Sequence, residues 1–127
     1  MMQFCTTLRN AQLDLIAGML GYDAQLRFYD GALPANCAAA AVGELLATIA
    51  LPARPFARAF DGKLEKNGAW MGVVIAAGHA RYWRLARRDG MTVIQGPAGM
   101  LFEGTEPLFE LGATVHLETF RLTAGNE

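Results

Sequence analysis

In the stretch Gly21-Tyr22-Asp23-Ala24-Gln25-Leu26-Arg27-Phe28-Tyr29-Asp30-Gly31 the apolar pattern of the chain changes period. Before it, apolar residues recur at helical spacing. Within it they recur at every second position. Gly21 is a natural helix stop, Leu26 and Phe28 share one face of a strand, and Asp30-Gly31 is a turn signal. The chain changes from helix to strand at Gly21.

Upstream, Thr6 or Thr7 is placed to cap a helix running to about Leu20. Leu8, Ala11, Leu15, Ile16, Met19 and Leu20 form its apolar stripe, and Arg9, Asn10, Gln12 and Asp14 lie mostly off it. Two roles suit the stripe: packing on the helix's own domain, or docking on a neighbouring subunit.

Downstream, residues 31–43 read as a loop of proline, alanine and glycine, and Glu44 to Leu51 as a second strand between Gly43 and Pro52. Leu and Ala would also suit a short helix there, but the Thr48-Ile49 pair and the brackets favour strand. Pro52 and Pro55 make 52–62 an irregular connection. Asn67-Gly68 signals a hairpin between Lys63–Glu65 and Trp70–Ala76.

Ala80 to Arg87 alternates. Arg81, Trp83, Leu85 and Arg87 face one way, and Ala80, Tyr82, Arg84 and Ala86 the other. Asp89-Gly90 turns the chain into Met91–Gln95, and a short strand is expected near Met100–Glu103. Thr114 to Thr123 reads as a closing strand whose apolar phase slips from Val115 and Leu117 to Phe120 and Leu122, the mark of a β-bulge near Glu118-Thr119. About seven short strands with turns between them predict a mainly β single domain, an antiparallel β-sandwich over about 24–123 with one N-terminal α-helix.

The 127 residues suffice for one core. An apolar fraction of 53% argues against disorder, although much of it is alanine, as in Ala38-Ala39-Ala40-Ala41. Net charge is −1, from 11 basic and 12 acidic residues, without the basic excess that phosphate neutralisation demands, so no nucleic-acid partner is expected. No apolar run approaches the roughly 20 residues of a membrane span. The N-terminal residues lack a secretion-signal pattern, so the chain is expected in the cytoplasm when made.

Few residues stand in patterns that chemistry requires. Cys5 and Cys37 show no metal-ligand spacing and are expected as free thiols. His79 and His116 lack histidine or cysteine partners at ligand spacing, and Cys37 would meet either only by an accident of the fold. Glu103, Glu106 and Glu110 surround Pro107 and read as a solvated loop rather than acids facing across a cleft. No glycine motif cradles phosphate. No catalytic residue, cofactor or metal is assigned.

The densest constellation is Arg81, Tyr82, Trp83, Arg84, Arg87 and Arg88. Three readings are open: cross-strand pairing with the glutamates of 103–118, a protein-binding hot spot, and nucleic-acid binding. Nine of the 11 basic residues are arginine, which coding bias or interface chemistry would each explain.

Several segments resemble a family of small structural proteins associated with the virions of tailed bacteriophages and prophages. They are Leu8-Arg9-Asn10-Ala11-Gln12-Leu13-Asp14; Leu26-Arg27-Phe28-Tyr29-Asp30-Gly31 with Pro34-Ala35-Asn36-Cys37-Ala38; Ala76-Ala77-Gly78-His79-Ala80-Arg81-Tyr82-Trp83-Arg84-Leu85; and Thr119-Phe120-Arg121-Leu122-Thr123-Ala124-Gly125-Asn126. The resemblance implies a virion component without enzymatic activity or cofactor, either capsid-decorating or an accessory of the tail or baseplate. Its partners would be other phage structural proteins and copies of itself. Within 91–113 the chain departs from the family's small polar residues with Met100, Phe102 and Phe109, which implies a greasier contact surface. Tyr82, Trp83, Arg84 and Phe109 are the expected protein-contact residues, with Tyr82 and Arg84 on an exposed face and Trp83 and Leu85 turned inward. A second reading is a carbohydrate- or receptor-binding module at the tail tip, with Trp70 and Trp83 as stacking platforms.

Overall fold

The computed structural model describes residues 3–123. Among them, one helix, α1 (Thr6–Leu20), precedes ten strands. These are β1 (Gln25–Tyr29), β2 (Leu45–Ala50), β3 (Lys63–Glu65), β4 (Trp70–Val74), β5 (Gly78–His79), β6 (Tyr82–Ala86), β7 (Thr92–Pro97), β8 (Leu108–Phe109), β9 (Thr114–Leu117) and β10 (Arg121–Thr123). Six form an antiparallel sheet in the order β7-β6-β1-β2-β4-β9, and β10-β3 and β5-β8 are two-stranded ribbons. The architecture is mainly β with an N-terminal helix. Two facing sheets, as in a sandwich, are not established. What packs beneath the large sheet is a mixture of α1, the β3/β10 ribbon and connecting segments.

Register explains the core. Leu26 stands opposite Ile49 and Leu85, and Phe28 opposite Ala47 and Trp83. Residues opposite one another in an antiparallel pair share a face, so all six point the same way, and all are fully buried. Beneath them lie Leu13 and Leu20 of α1, Leu64 of β3, Phe56 and Phe120. Phe120 joins both tryptophans, its ring centroid 5.2 Å from Trp83 and 5.0 Å from Trp70. At the other end, Phe28 meets Phe109 edge-on at 5.4 Å and Phe102 at 5.8 Å.

Several expectations are corrected. Cys5, not Thr6 or Thr7, holds the N-cap position, without a side-chain capping bond, and Thr6 is already helical. The helix is also rotated from its apparent stripe. It buries Arg9, Leu13 and Leu20, half-buries Ile16 and Ala17, and leaves Leu8, Ala11, Leu15 and Met19 exposed. Polar side chains dock it: the Asn10 carboxamide oxygen accepts from Gly62 N at 2.8 Å, and an Asp14 carboxylate oxygen from Ala59 N at 2.9 Å.

Lys63–Glu65 and Trp70–Val74 are strands but not a hairpin. β3 pairs with β10, while β4 pairs with β2 and β9. The Asn67-Gly68 turn is held from outside, by Asn67 N donating to Pro55 O at 2.7 Å and its side chain to Arg54 O. Met100–Glu103 is no strand. A 3-10 turn at Ala98–Met100 continues into a tight turn closed by Gly104 N donating to Gly99 O at 2.7 Å. The phase slip after Leu117 marks a change of sheet rather than a bulge, since β9 lies in the large sheet and β10 in a ribbon. Ala124, Gly125 and Asn126 of the closing segment lie outside the described residues.

Candidate functional site

Tyr82 and Arg84 sit on the outer face of β6, opposite Tyr29 and Arg27 of β1. Alternation places them there, as expected, but the exposure expected of them is not found. Tyr82 is 0% and Arg84 5% exposed, because residues 31–44 fold back over this half of the sheet as an Ω-like strap. Asp30 and Glu44 close the neck: Asp30 N donates to Glu44 O at 3.2 Å, and Glu44 N to the Asp30 carboxylate at 2.6 Å. Gly31 and Gly43 press together there. A Cβ on Gly43 would strike Gly31 N, and Gly43 has φ +86, so both sterics and dihedral require glycine.

Side chains from the sheet then hold the strap by its backbone. Arg84 Nη2 donates to Ala39 O at 2.7 Å and Asn36 O at 3.4 Å, and its Nε to the Gln95 carboxamide oxygen at 3.0 Å. Gln95 in turn donates to Pro34 O at 2.9 Å. The Tyr82 hydroxyl both donates to Val42 O and accepts from Val42 N, each at 2.8 Å, while its ring stacks on Tyr29 at 5.0 Å. Burial pushes the Tyr82 hydroxyl above the ordinary tyrosine value, against smaller lowering effects from the Val42 hydrogen bond and the Arg84 charge.

The arginine-aromatic constellation is thereby dispersed. Trp83 is turned inward as expected, and its indole N–H donates to Pro97 O at 3.2 Å. Arg81 pairs with Glu106 at 3.4 Å, Arg87 with Asp89 at 3.2 Å, and Arg88 reaches back to the Tyr22 hydroxyl at 2.8 Å. Phe109 is buried against Phe28 and Phe102, so of the greasier 91–113 segment only Met100 is largely exposed among Met100, Phe102 and Phe109. All four expected contact residues, Tyr82, Trp83, Arg84 and Phe109, belong to the interior. Trp70 is also fully buried, so neither tryptophan offers a face to a sugar ring.

Cys5 and Cys37 are free thiols, and no group of three or more His, Cys, Asp or Glu among the described residues is placed to hold a metal. Among the described residues, no helix is long and apolar enough to cross a membrane.

What remains for binding is the outer side of α1, already offered by the sequence as a docking face, and a patch on β4 that no sequence pattern singled out. The solvent side of α1 carries Leu8, Leu15 and Met19, with Leu15 64% exposed. On β4, Met71 and Val73 point outward together with Ile75 just beyond the strand, on the half of the sheet that the strap does not reach. The signal for the first was present: eight apolar positions in α1 are too many for one buried face.

No family model matches the chain, and neither the curated proteins nor the solved structures gave a match.

Proposed function

We propose that this chain is a structural, protein-binding component of an assembly and, following the resemblance of its sequence segments, that the assembly is a tailed-phage virion in which it serves as a capsid-decorating or tail or baseplate accessory protein. The observation that carries the binding role is the second apolar face of α1. Leu13 and Leu20 already anchor the helix, so Leu8, Leu15 and Met19 contribute nothing to its own core. Grouped apolar side chains on a surface mark a contact site. The outward Met71, Val73 and Ile75 add a second such patch.

The test is the double variant Leu15→Glu with Met19→Glu. Both side chains are exposed, so stability should stay within about 0.5 kcal/mol of the parent. Quantitative mass spectrometry of purified particles should find incorporation reduced about tenfold or more, as expected for losing a little over 1 kcal/mol of contact energy. Particles that carry the variant at parental copy number would remove the helix face from the proposal. Absence of the parent chain from purified particles would remove the virion.

A further inference from the structure

We infer that the free edge of β9 is a docking groove for an extended, basic polypeptide segment of a partner protein, which adds to the large sheet as a seventh strand. The inference rests on the binding role proposed above only in kind, because the strand edge is a surface separate from the helix face.

The sheet has two edge strands, β7 and β9. The β7 edge is blunted: it ends in Pro97, which has no N–H, and Val93 O already accepts from the Cys37 thiol. The β9 edge carries neither protection. Val74 N donates to Ala113 O at 2.9 Å, which sets the alternation of the ladder. Val115 and Leu117 therefore bond to β4, while the N–H and C=O of Thr114 and His116 point away from the sheet. Among the described residues nothing pairs with those four groups. They are spaced to match one extended backbone.

The edge is also walled. A groove of about 660 Å³ runs beside His116, Leu117 and Glu118, with Leu101, Phe102, Glu103 and Pro107 opposite. A second hollow of about 310 Å³ continues it past Thr114 and Val115, still against Phe102 and Pro107. A strand seated there would turn alternate side chains toward Phe102 and Pro107, and the others beside Thr114 and His116.

Charge selects the occupant. Glu103 and Glu118 line the first hollow and Glu110 the second. None of the three has an ion-pair partner among the described residues. Arg121 also lines the groove, but its guanidinium is held by Glu65 at 2.7 Å. The walls thus favour lysine or arginine on the incoming strand. They also disfavour a second copy of this chain, since a two-fold pairing of β9 with β9 would bring the same acidic walls together.

The probe is the capped peptide Lys-Val-Lys-Val-Lys-Val-Lys, titrated into the isolated full chain with amide shifts and hydrogen exchange as readouts. Shifts and slowed exchange centred on Thr114 and His116 are expected, with binding weakened about tenfold or more when the central valine is proline. The variant Glu103→Lys with Glu118→Lys, whose side chains are exposed, should lose the lysine peptide and gain the matching Glu-Val peptide. His116→Pro removes an outward N–H without touching the β4 ladder and should abolish binding. Perturbation elsewhere, no perturbation, or an unchanged charge preference in the double variant would overturn the inference. So would concentration-dependent protection of Thr114 and His116 without peptide, because it would make a second copy the occupant. Each of these outcomes leaves the helix-face test untouched.

Discussion

Arg84 is a buried charge whose hydrogen-bond partners among the described residues are all uncharged: two strap carbonyls and the Gln95 carboxamide. Its guanidinium offers five donors in a plane, which lets one side chain bind two loop carbonyls and a neighbouring strand at once. Tyr82 does a smaller version of the same job, with one hydroxyl serving both the donor and the acceptor of Val42. Replacing Tyr82 by Phe should lower stability at neutral pH by about 1–3 kcal/mol, the net worth of the two hydrogen bonds lost. It should also change the alkaline limb. Burial raises the folded-state pKa of this hydroxyl, so above the unfolded value near 10 the unfolded chain releases a proton that the folded chain retains. Its contribution is complete below that pH and is lost as pH rises through the folded pKa. Denaturant midpoints measured across the alkaline range should fall less steeply for Tyr82→Phe than for the parent; equal slopes would place the titration on another tyrosine.

At the scale of the element, the strap over 31–44 and the helix face teach the same lesson. Each has two sides, and periodicity counts apolar positions without saying which side meets the core. In α1, Leu8, Leu15 and Met19 form as good a stripe as the one that is buried, and the choice fell to polar anchors, Asn10 on Gly62 and Asp14 on Ala59. The strap is irregular but not loose, because its carbonyls are spoken for. Arg84→Ala should therefore cost about 1.5–3 kcal/mol, the range for hydrogen bonds to a charged group. Hydrogen exchange should show where the loss falls: amides of 34–42 should accelerate well before those of β1 and β2. Acceleration spread evenly over the sheet would mean that Arg84 supports the core itself rather than the strap.

At the scale of the whole molecule, the aromatic cluster ties the closing segment to the middle of the chain. Phe120, near the end of the described residues, fills the space between Trp70 and Trp83 under strands drawn from the middle of the sequence. Trp83→Ala should cost about 3–5 kcal/mol, a large share of the roughly 5–15 kcal/mol of a typical domain. Because α1 and the large sheet share this core, circular dichroism and Trp70 fluorescence should lose their native signals in one earlier transition. A variant with parental stability would place the indole outside the core. Trp70 carries a cost of its own, as its indole N–H is buried with no hydrogen-bond partner, and ring packing against Phe56 and Phe120 offsets it.

Local pattern alone places α1 to within a residue, the switch to strand at Gly21, most strand positions and the inward turn of Trp83. Those features follow from local periodicity and from turn residues, which act within a few positions of themselves. Tertiary structure alone decided the partners. Lys63–Glu65 and Trp70–Val74 flank a good turn signal yet pair elsewhere, because β2, β9 and β10 offer ladders that the local pattern cannot see. It also decided what is surface. Tyr82 and Arg84 have the alternation of an exposed face, and they are internal because a segment some forty residues away supplies backbone carbonyls to cover them. A carbonyl acceptor belongs to every residue alike, so no side-chain pattern announces it. The open edge of β9 was hidden for the same reason: whether a strand's outer groups find a partner depends on where the sheet ends, which is a property of the assembled fold.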